Sequence, residues 1–166
     1  MMETPVHMPQ ALTPQELAET CAQLMWRDDQ ASRHLDMNLV MIGPGSATLS
    51  MRVSDVMTNG HGTCHGGYIF TLADSAFAFA CNSYNHRAVA QQASITFIAA
   101  AFRADTLTAT AREVSRQERS GIYDVTVSNQ EGKQIAEFRG HARKVKGTHL
   151  PDDAEKDGRQ IRQGDV

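Results

Sequence analysis

The run from His61 to Asn85, HGTCHGGYIFTLADSAFAFACNSYN, holds the feature that most constrains this chain: one carboxylate inside an otherwise uncharged helical segment. From Gly66 to Cys81 the residues are small or apolar on every side of a helix wheel, the pattern of a helix enclosed by other structure. Asp74 is the only charge in it, and Phe70, Thr71, Phe77 and Ala78, one turn away, offer no cation. An ionised carboxylate there is desolvated unless the site opens to water or to a ligand, and groups held at such cost concentrate in working sites. The segment therefore needs a wrapping layer, and Asp74 is the first candidate for chemistry.

The start of this helix is unusual as well. Asn59, Gly60, His61 and Gly62 read as a turn, and His65, Gly66 and Gly67 lead into the apolar run with no Ser, Thr or Asp to cap it. The first amides are expected to be free. Free amides at a helix start, backed by the dipole, attract negative charge, and glycine lets a ligand atom come close to the backbone. Such a turn can serve as an oxyanion hole.

What must wrap the helix is legible in the periodicity on either side of it. Residues 1–29 read as a leader followed by a covering helix: Thr13, Pro14, Gln15, Glu16 has capping-box spacing with proline at the first helical position, and Leu17, Cys21, Leu24 and Met25 share one face as far as about Arg27. From Leu35 the period changes to two. Met37, Leu39 and Met41 alternate, GPGS turns the chain, and Ala47, Leu49, Met51 and Val53 alternate in return. After the helix, Ile95, Phe97 and Ala99 alternate, then Leu107, Ala109 and Ala111, then Tyr123, Val125 and Val127, with a last strand near Lys133 to Val145. One sheet face is expected to be apolar throughout. The order of two strands, one long helix and four strands excludes a doubly wound sheet. An α+β arrangement, a curved antiparallel sheet wrapped around the one buried helix, satisfies both apolar surfaces. Residues 30–145 form that domain, and residues 146–166, polar and aperiodic, are expected to be a disordered tail.

Composition narrows the function classes. With 166 residues and 41% hydrophobic content the chain has material for one real core, and its formal net charge of −3 shows no long block of either sign. Broad electrostatic binding to nucleic acid or to an anionic membrane is not suggested. The opening residues MMETPVHMPQ lack a signal pattern, and no apolar run is long enough for a bilayer, so a cytoplasmic location is expected. Cys21, Cys64 and Cys81 read as reduced thiols, with no disulfide. His61, Cys64, His65 and Asp74 are ligand types in one short stretch, but their spacing lacks a second close pair, and no metal or other cofactor is expected.

The run Asn59, Gly60, His61, Gly62, then His65, Gly66, Gly67, then Phe70 to Ala78, with Gly121 to Val125, Asn129, Gln130 and Phe138 to Gly140, resembles the hot-dog-fold acyl-CoA thioesterases. It is most similar to those of phenylacetic acid degradation, over roughly residues 30 to 145. The resemblance implies hydrolysis of phenylacetyl-CoA, its ring-hydroxylated relatives or other short or medium acyl-CoAs. It matches Asp74 to the family's catalytic carboxylate, Gly66 to its oxyanion amide, and His65 and Asn59 to its turn residues. It matches Arg119 and Ser120 to a coenzyme A phosphate contact, where Ser120 stands in place of a frequent threonine. The plainer alternatives are structural: Asp74 bonded to a strand, His65 and Asn59 bracing a turn, Gly66 and Gly67 allowing close packing, and Arg119 a solvated hairpin residue.

Spacing adds an argument independent of the family. Gly66 and Asp74 are eight positions apart, about 12 Å along one helix at 1.5 Å per residue, so one carbonyl cannot touch both. If both act on one thioester they come from different subunits, which predicts a site at a two-fold interface in a homo-oligomer, a dimer at least and a tetramer as a dimer of dimers. Asp74 then serves either as nucleophile or as general base. The competing readings are a hot-dog hydratase or dehydratase and a non-catalytic acyl-CoA-binding protein.

Overall fold

A computed structural model of the chain describes residues 11–151. Helix α1 spans Pro14–Asp28 and α2 Gln30–His34; strands β1 (Asn38–Gly43) and β2 (Ser46–Arg52) precede the central helix α3 (Gly66–Cys81). Strands β3 (Ala88–Phe97), β4 (Thr106–Arg116), β5 (Ser120–Ser128) and β6 (Gln134–Lys144) follow. All six strands form one sheet in the order β1-β2-β4-β5-β6-β3, every pair antiparallel. This is the antiparallel sheet around one helix that the element order predicts, and the hot-dog arrangement that the resemblance implies.

The alternation in β2, β4, β5 and β6 places Leu49, Met51, Leu107, Ala109, Val125, Val127, Ala136 and Phe138 on the face toward α3. There they meet Leu72, Ala73, Ala76, Phe77 and Ala80 of α3 in a single core cluster. Small residues let the helix lie close to the sheet, and Phe77 fills the remaining space against Tyr123 and Phe138, ring centroids 5.7 and 5.8 Å away. The capping box forms as its sequence predicts: Thr13 Oγ1 accepts from the Glu16 amide, and Glu16 accepts from the Thr13 amide at 2.8 Å. Helix α1 then lies beside α3, with Trp26 against Phe79 at 5.7 Å. Among the described residues no helix is long and apolar enough to cross a membrane, and all three cysteines are buried and outside any disulfide.

The structure departs from the sequence reading in five places. Met41 is 56% exposed, because a bulge between Leu39 and Met41 reverses the alternation of β1. Strand β3 begins at Ala88, ahead of the apolar alternation at Ile95, and as an edge strand it leaves Phe97 exposed. Helix α2 was not anticipated; Asp29 caps it by accepting from the Ser32 amide. Helix α3 is not enclosed on every side. The sheet and α1 cover most of it, but Gly67 is exposed and Thr71, Asp74 and Ala78 are half-buried, a stripe spaced by four, three and four residues.

The last departure is at the end of the domain. Residues 146–151, expected in a disordered tail, fold back over the C-terminal end of α3, and the leader residues 1–10 and tail residues 152–166 lie outside the described residues. Asn85, at φ 58° and buried, accepts from the His149 and Leu150 amides at 3.0 and 2.8 Å, and the Leu150 side chain is buried. Leu150→Ala is expected to cost about 2–4 kcal/mol, the range for emptying a buried leucine site. A urea unfolding midpoint unchanged from the parent protein would show that this segment does not hold the domain together.

Candidate active site

The loop entering α3 is fixed from both sides. Asn59 Oδ1 accepts from the His61 amide at 2.9 Å and the Thr63 amide at 3.3 Å, and Asn59 Nδ2 donates to Thr63 Oγ1 at 3.0 Å. Its side chain is therefore spent on the loop, the turn-forming role rather than a substrate contact. The Cys64 amide donates to Ala101 O and the His65 amide to Met57 O, both at 2.8 Å, tying the loop to the β3–β4 connection and to the turn that precedes it.

His65 supplies the cap that the sequence seemed to lack. Its Nδ1 accepts from the Gly67 amide at 2.9 Å, which corrects the expectation that all the first amides are free. An accepting Nδ1 carries no proton, so in the neutral ring the proton sits on Nε2 and faces outward from an exposed side chain. Gly66, the first helical residue, has no intrahelical acceptor for its amide, and no loop acceptor is found for it among the described residues. It lines an open groove of about 440 Å³ with Cys64, Ile69, Phe97 and Ile98. A Cβ at Gly66 would lie 2.8 Å from the tip of the Phe97 ring, so a side chain here would have to turn that exposed ring aside.

Asp74 stands two turns further on, in the open stripe. It makes no hydrogen bond or ion pair among the described residues, and burial pushes its carboxyl above the ordinary value. Ser75 beside it is bound instead into the N-terminal helices: Ser32 donates to Asp29 at 2.6 Å, and the Ser32 and Ser75 hydroxyls are 3.3 Å apart. The thiols near the helix are poor nucleophiles. Burial, with the Asp105 charge, pushes Cys64 up to about 11, and burial pushes Cys81 up to about 12. Among the described residues no group of His, Cys, Asp and Glu is placed to hold a metal ion.

Arg119 and Ser120 are far from the Gly66 end. Ser120 lines a second cavity of about 370 Å³ beyond the C-terminal end of α3, together with Tyr84, His86, Arg116, Gln117 and Lys144. Arg119 is exposed at the tip of the β4–β5 hairpin, where its carbonyl accepts from the Lys144 amide at 2.9 Å, and it is not on the cavity wall. The cations that share a cavity with Ser120 are Arg116 and Lys144. Both come from strands and meet only through the β4–β5 and β5–β6 pairing, which no local pattern announces.

The state of Asp74 has a measurable consequence. Burial favours its protonated form in the folded chain and not in the unfolded one, so this contribution to stability is fully present below the ordinary value of 3.8 and is lost as pH rises through the raised folded value. Asp74→Asn, neutral at every pH, escapes that loss. The variant is expected to unfold at higher urea than the parent at neutral pH, with the gap closing as the pH falls toward about 4. Equal midpoints at every pH would mean that Asp74 is fully hydrated in the folded protein.

Residues 61–136 match the family model of the thioesterase superfamily. The chain is 41% identical over 127 residues to the acyl-coenzyme A thioesterase PaaI of Escherichia coli K12, an alignment that covers 76% of this chain and 91% of that protein. The solved structure of the E. coli PaaI protein from the phenylacetic acid degradation operon superimposes with a TM-score of 0.81 at 39% identity, over 82% of this chain and 99% of that one. A Streptococcus mutans UA159 protein solved bound to acetyl CoA matches with a TM-score of 0.65 at 30% identity, over 68% of this chain and 90% of that one. The central helix, its glycine-led entry and the single antiparallel sheet around them are therefore those of a known group, and the chain belongs to the thioesterase superfamily as a hot-dog thioesterase related to PaaI.

Proposed function

We propose that this protein hydrolyses acyl-CoA thioesters to free acid and coenzyme A, with phenylacetyl-CoA and its ring-hydroxylated relatives as the leading substrates, at sites shared between two subunits. The observation that carries the reading is Asp74: a half-buried carboxylate with no partner among the described residues, in the one stripe of α3 that the chain's own sheet leaves uncovered. The substrate class rests on the likeness to the E. coli thioesterase, whose operon degrades phenylacetic acid, and to the S. mutans protein that binds acetyl CoA.

The shared site has a simple geometry. Placing Gly66 of one subunit opposite Asp74 of the other makes the two copies of α3 antiparallel, with the two-fold axis near Phe70, midway between them. The open stripe then faces its copy, and its small residues Gly67 and Ala78 let the helices approach. Strand β3 lies at the sheet edge on this side, with Phe97 and Ile98 exposed, so pairing of β3 with its copy covers both an open edge and apolar surface. Cys81, which helps to line the Ser120 cavity, is seven residues beyond Asp74, about 10 Å, and fifteen beyond Gly66, about 22 Å. A single coenzyme A thus meets the oxyanion amide of one subunit and the acid and cation-lined cavity of the other.

In the reaction, the Gly66 amide at the positive end of α3 polarises the thioester carbonyl and holds the oxyanion as the carbonyl carbon becomes tetrahedral. Asp74 drives the attack. As nucleophile it forms a mixed anhydride and releases the CoA thiolate, and water then cleaves the anhydride; as general base it takes the proton of a water that attacks directly. Burial suits both roles, because a carboxylate stripped of water is more basic and more reactive. His65 holds the Gly67 amide and so orients the first turn, with its Nε2 proton free for the carbonyl or for water.

Release of coenzyme A thiol from phenylacetyl-CoA and from straight-chain acyl-CoAs is expected for the parent protein, with a loss of about a thousandfold or more in Asp74→Asn. Gly66→Pro removes the amide proton at a first helical position, where proline's fixed φ suits, with the exposed Phe97 ring turning aside for its Cβ, and is expected to be similarly inactive. Mixing the two variants restores activity toward about a quarter of the parent level, because each mixed dimer holds one intact site. Acyl-CoA binding without thiol release by the parent protein would overturn hydrolysis in favour of an acyl-CoA-binding protein. Failure of the mixture to regain activity, with subunit exchange shown, would overturn the shared site.

A further inference from the structure

We infer that Glu113 is a positioning residue for recognition of the phosphate-bearing end of coenzyme A, acting by holding the Arg116 guanidinium at the wall of the cavity beyond α3. This rests on the proposal that the cavity takes that end of the substrate.

An arginine near a hairpin tip ordinarily samples many rotamers, and ordering it on a phosphate costs entropy. Arg116 is ordered beforehand. Its guanidinium carbon lies 3.9 Å from the centre of the Tyr84 ring, and its Nε is 3.4 Å from Glu113 Oε2. One face is thus stacked and one edge engaged, while a guanidinium has five N–H donors, so donors are left for an anion. The cavity wall also carries the Lys144 ammonium and the Ser120 hydroxyl, groups suited to phosphate oxygens, and only Glu118 there opposes them.

Glu113 would itself repel a phosphate if it faced the cavity, and it does not. It is absent from the cavity wall and lies behind Arg116, with its side chain 24% exposed and its Oε2 accepting from the Tyr123 hydroxyl at 3.0 Å. Tyr123 is buried, and its phenol is pushed far up by that burial and by the Glu113 charge, so it stays a donor at any working pH. The other side is closed by Gly45 in the β1–β2 turn, at φ 68°: its carbonyl accepts from the Glu113 amide at 2.8 Å, and a Cβ there would meet the Tyr84 hydroxyl at 2.7 Å and Glu113 Cβ at 3.0 Å. Turn, phenols, carboxylate and guanidinium form one packed stack, with the cation as its exposed end. A bulge between Glu113 and Ser115 turns the strand at this point and brings positions 113 and 116 to the same side.

The test compares two thioesters of the same acyl group, one of coenzyme A and one of N-acetylcysteamine, which has the reacting end and no phosphate. The full-length chain and its Glu113→Gln, Arg116→Ala and doubly substituted forms are assayed on both. Glutamine keeps an acceptor for Tyr123 and removes the charge that pins Arg116. The ratio of kcat/KM for the CoA ester to that for the truncated ester is expected to fall about tenfold in Glu113→Gln, at least as far in Arg116→Ala, and no further in the double variant. Should Glu113→Gln fail to fold, Tyr84→Leu, which removes the stacking face, carries the same expectation. A normal ratio in Glu113→Gln with a reduced ratio in Arg116→Ala would overturn the positioning role alone. A normal ratio in Arg116→Ala would overturn the cavity assignment and the inference with it.

Discussion

Desolvation of one carboxylate sets the terms for the rest of this structure. Asp74 rides on the helix that the sheet was built to bury, and a charge carried into that core would oppose the apolar contacts that bring helix and sheet together. The conflict is met by rotation: Leu72, Ala73, Ala76 and Phe77 turn toward the strands, and Asp74 comes to lie with Gly67, Thr71 and Ala78 in the stripe left over. The single chain therefore ends with a half-buried acid on an incompletely covered helix. Both features favour an arrangement in which something further covers the stripe, the place that the proposed dimer gives to a second copy of the helix.

Much of this was legible in the sequence for a definite reason. Period-two alternation in β2, β4, β5 and β6 survives into the fold because those strands are central, flanked on both sides and packed on one face, so every inward residue is needed there. The capping box of α1 and the glycine-led entry to α3 are local, and local geometry is what short spacings encode. The edge strands read less well. In β1 a bulge reverses the faces, and in β3 Ile95 packs against the core while Phe97, in the same alternation, stays exposed, so alternation there reports burial that this chain alone does not provide.

The site divides along the same line. Asn59, His65, Gly66 and Asp74 are confined to sixteen consecutive residues and could be singled out together, although the part each plays needed coordinates: His65 proves to be the helix cap and Asn59 the knot of the entry loop. The cation-lined cavity could not be found this way. Tyr84 follows α3, Arg116 closes β4 and Lys144 closes β6, and only the sheet register joins them. The resemblance singles out Arg119, nearest the hairpin tip, whereas the stack on Tyr84 and Glu113 orders the arginine three positions earlier.

In the proposed site the two ends of α3 differ in kind, and the difference follows from what each would hold. At the N-terminal end the partial positive charge comes from backbone amides, which are fixed by the helix and need no side-chain ordering; that suits a charge which exists only briefly on an oxyanion. At the C-terminal end the helix dipole has the wrong sign for phosphate, so cations must be brought in from β4 and β6 and immobilised by other means. Aromatic stacking and the half-buried Glu113 carboxylate, set behind the cavity wall rather than on it, do this. An overall charge of −3 is no obstacle to binding a polyanion under these conditions, because the opposing cations are gathered at one end of one helix while most acids lie elsewhere on the surface.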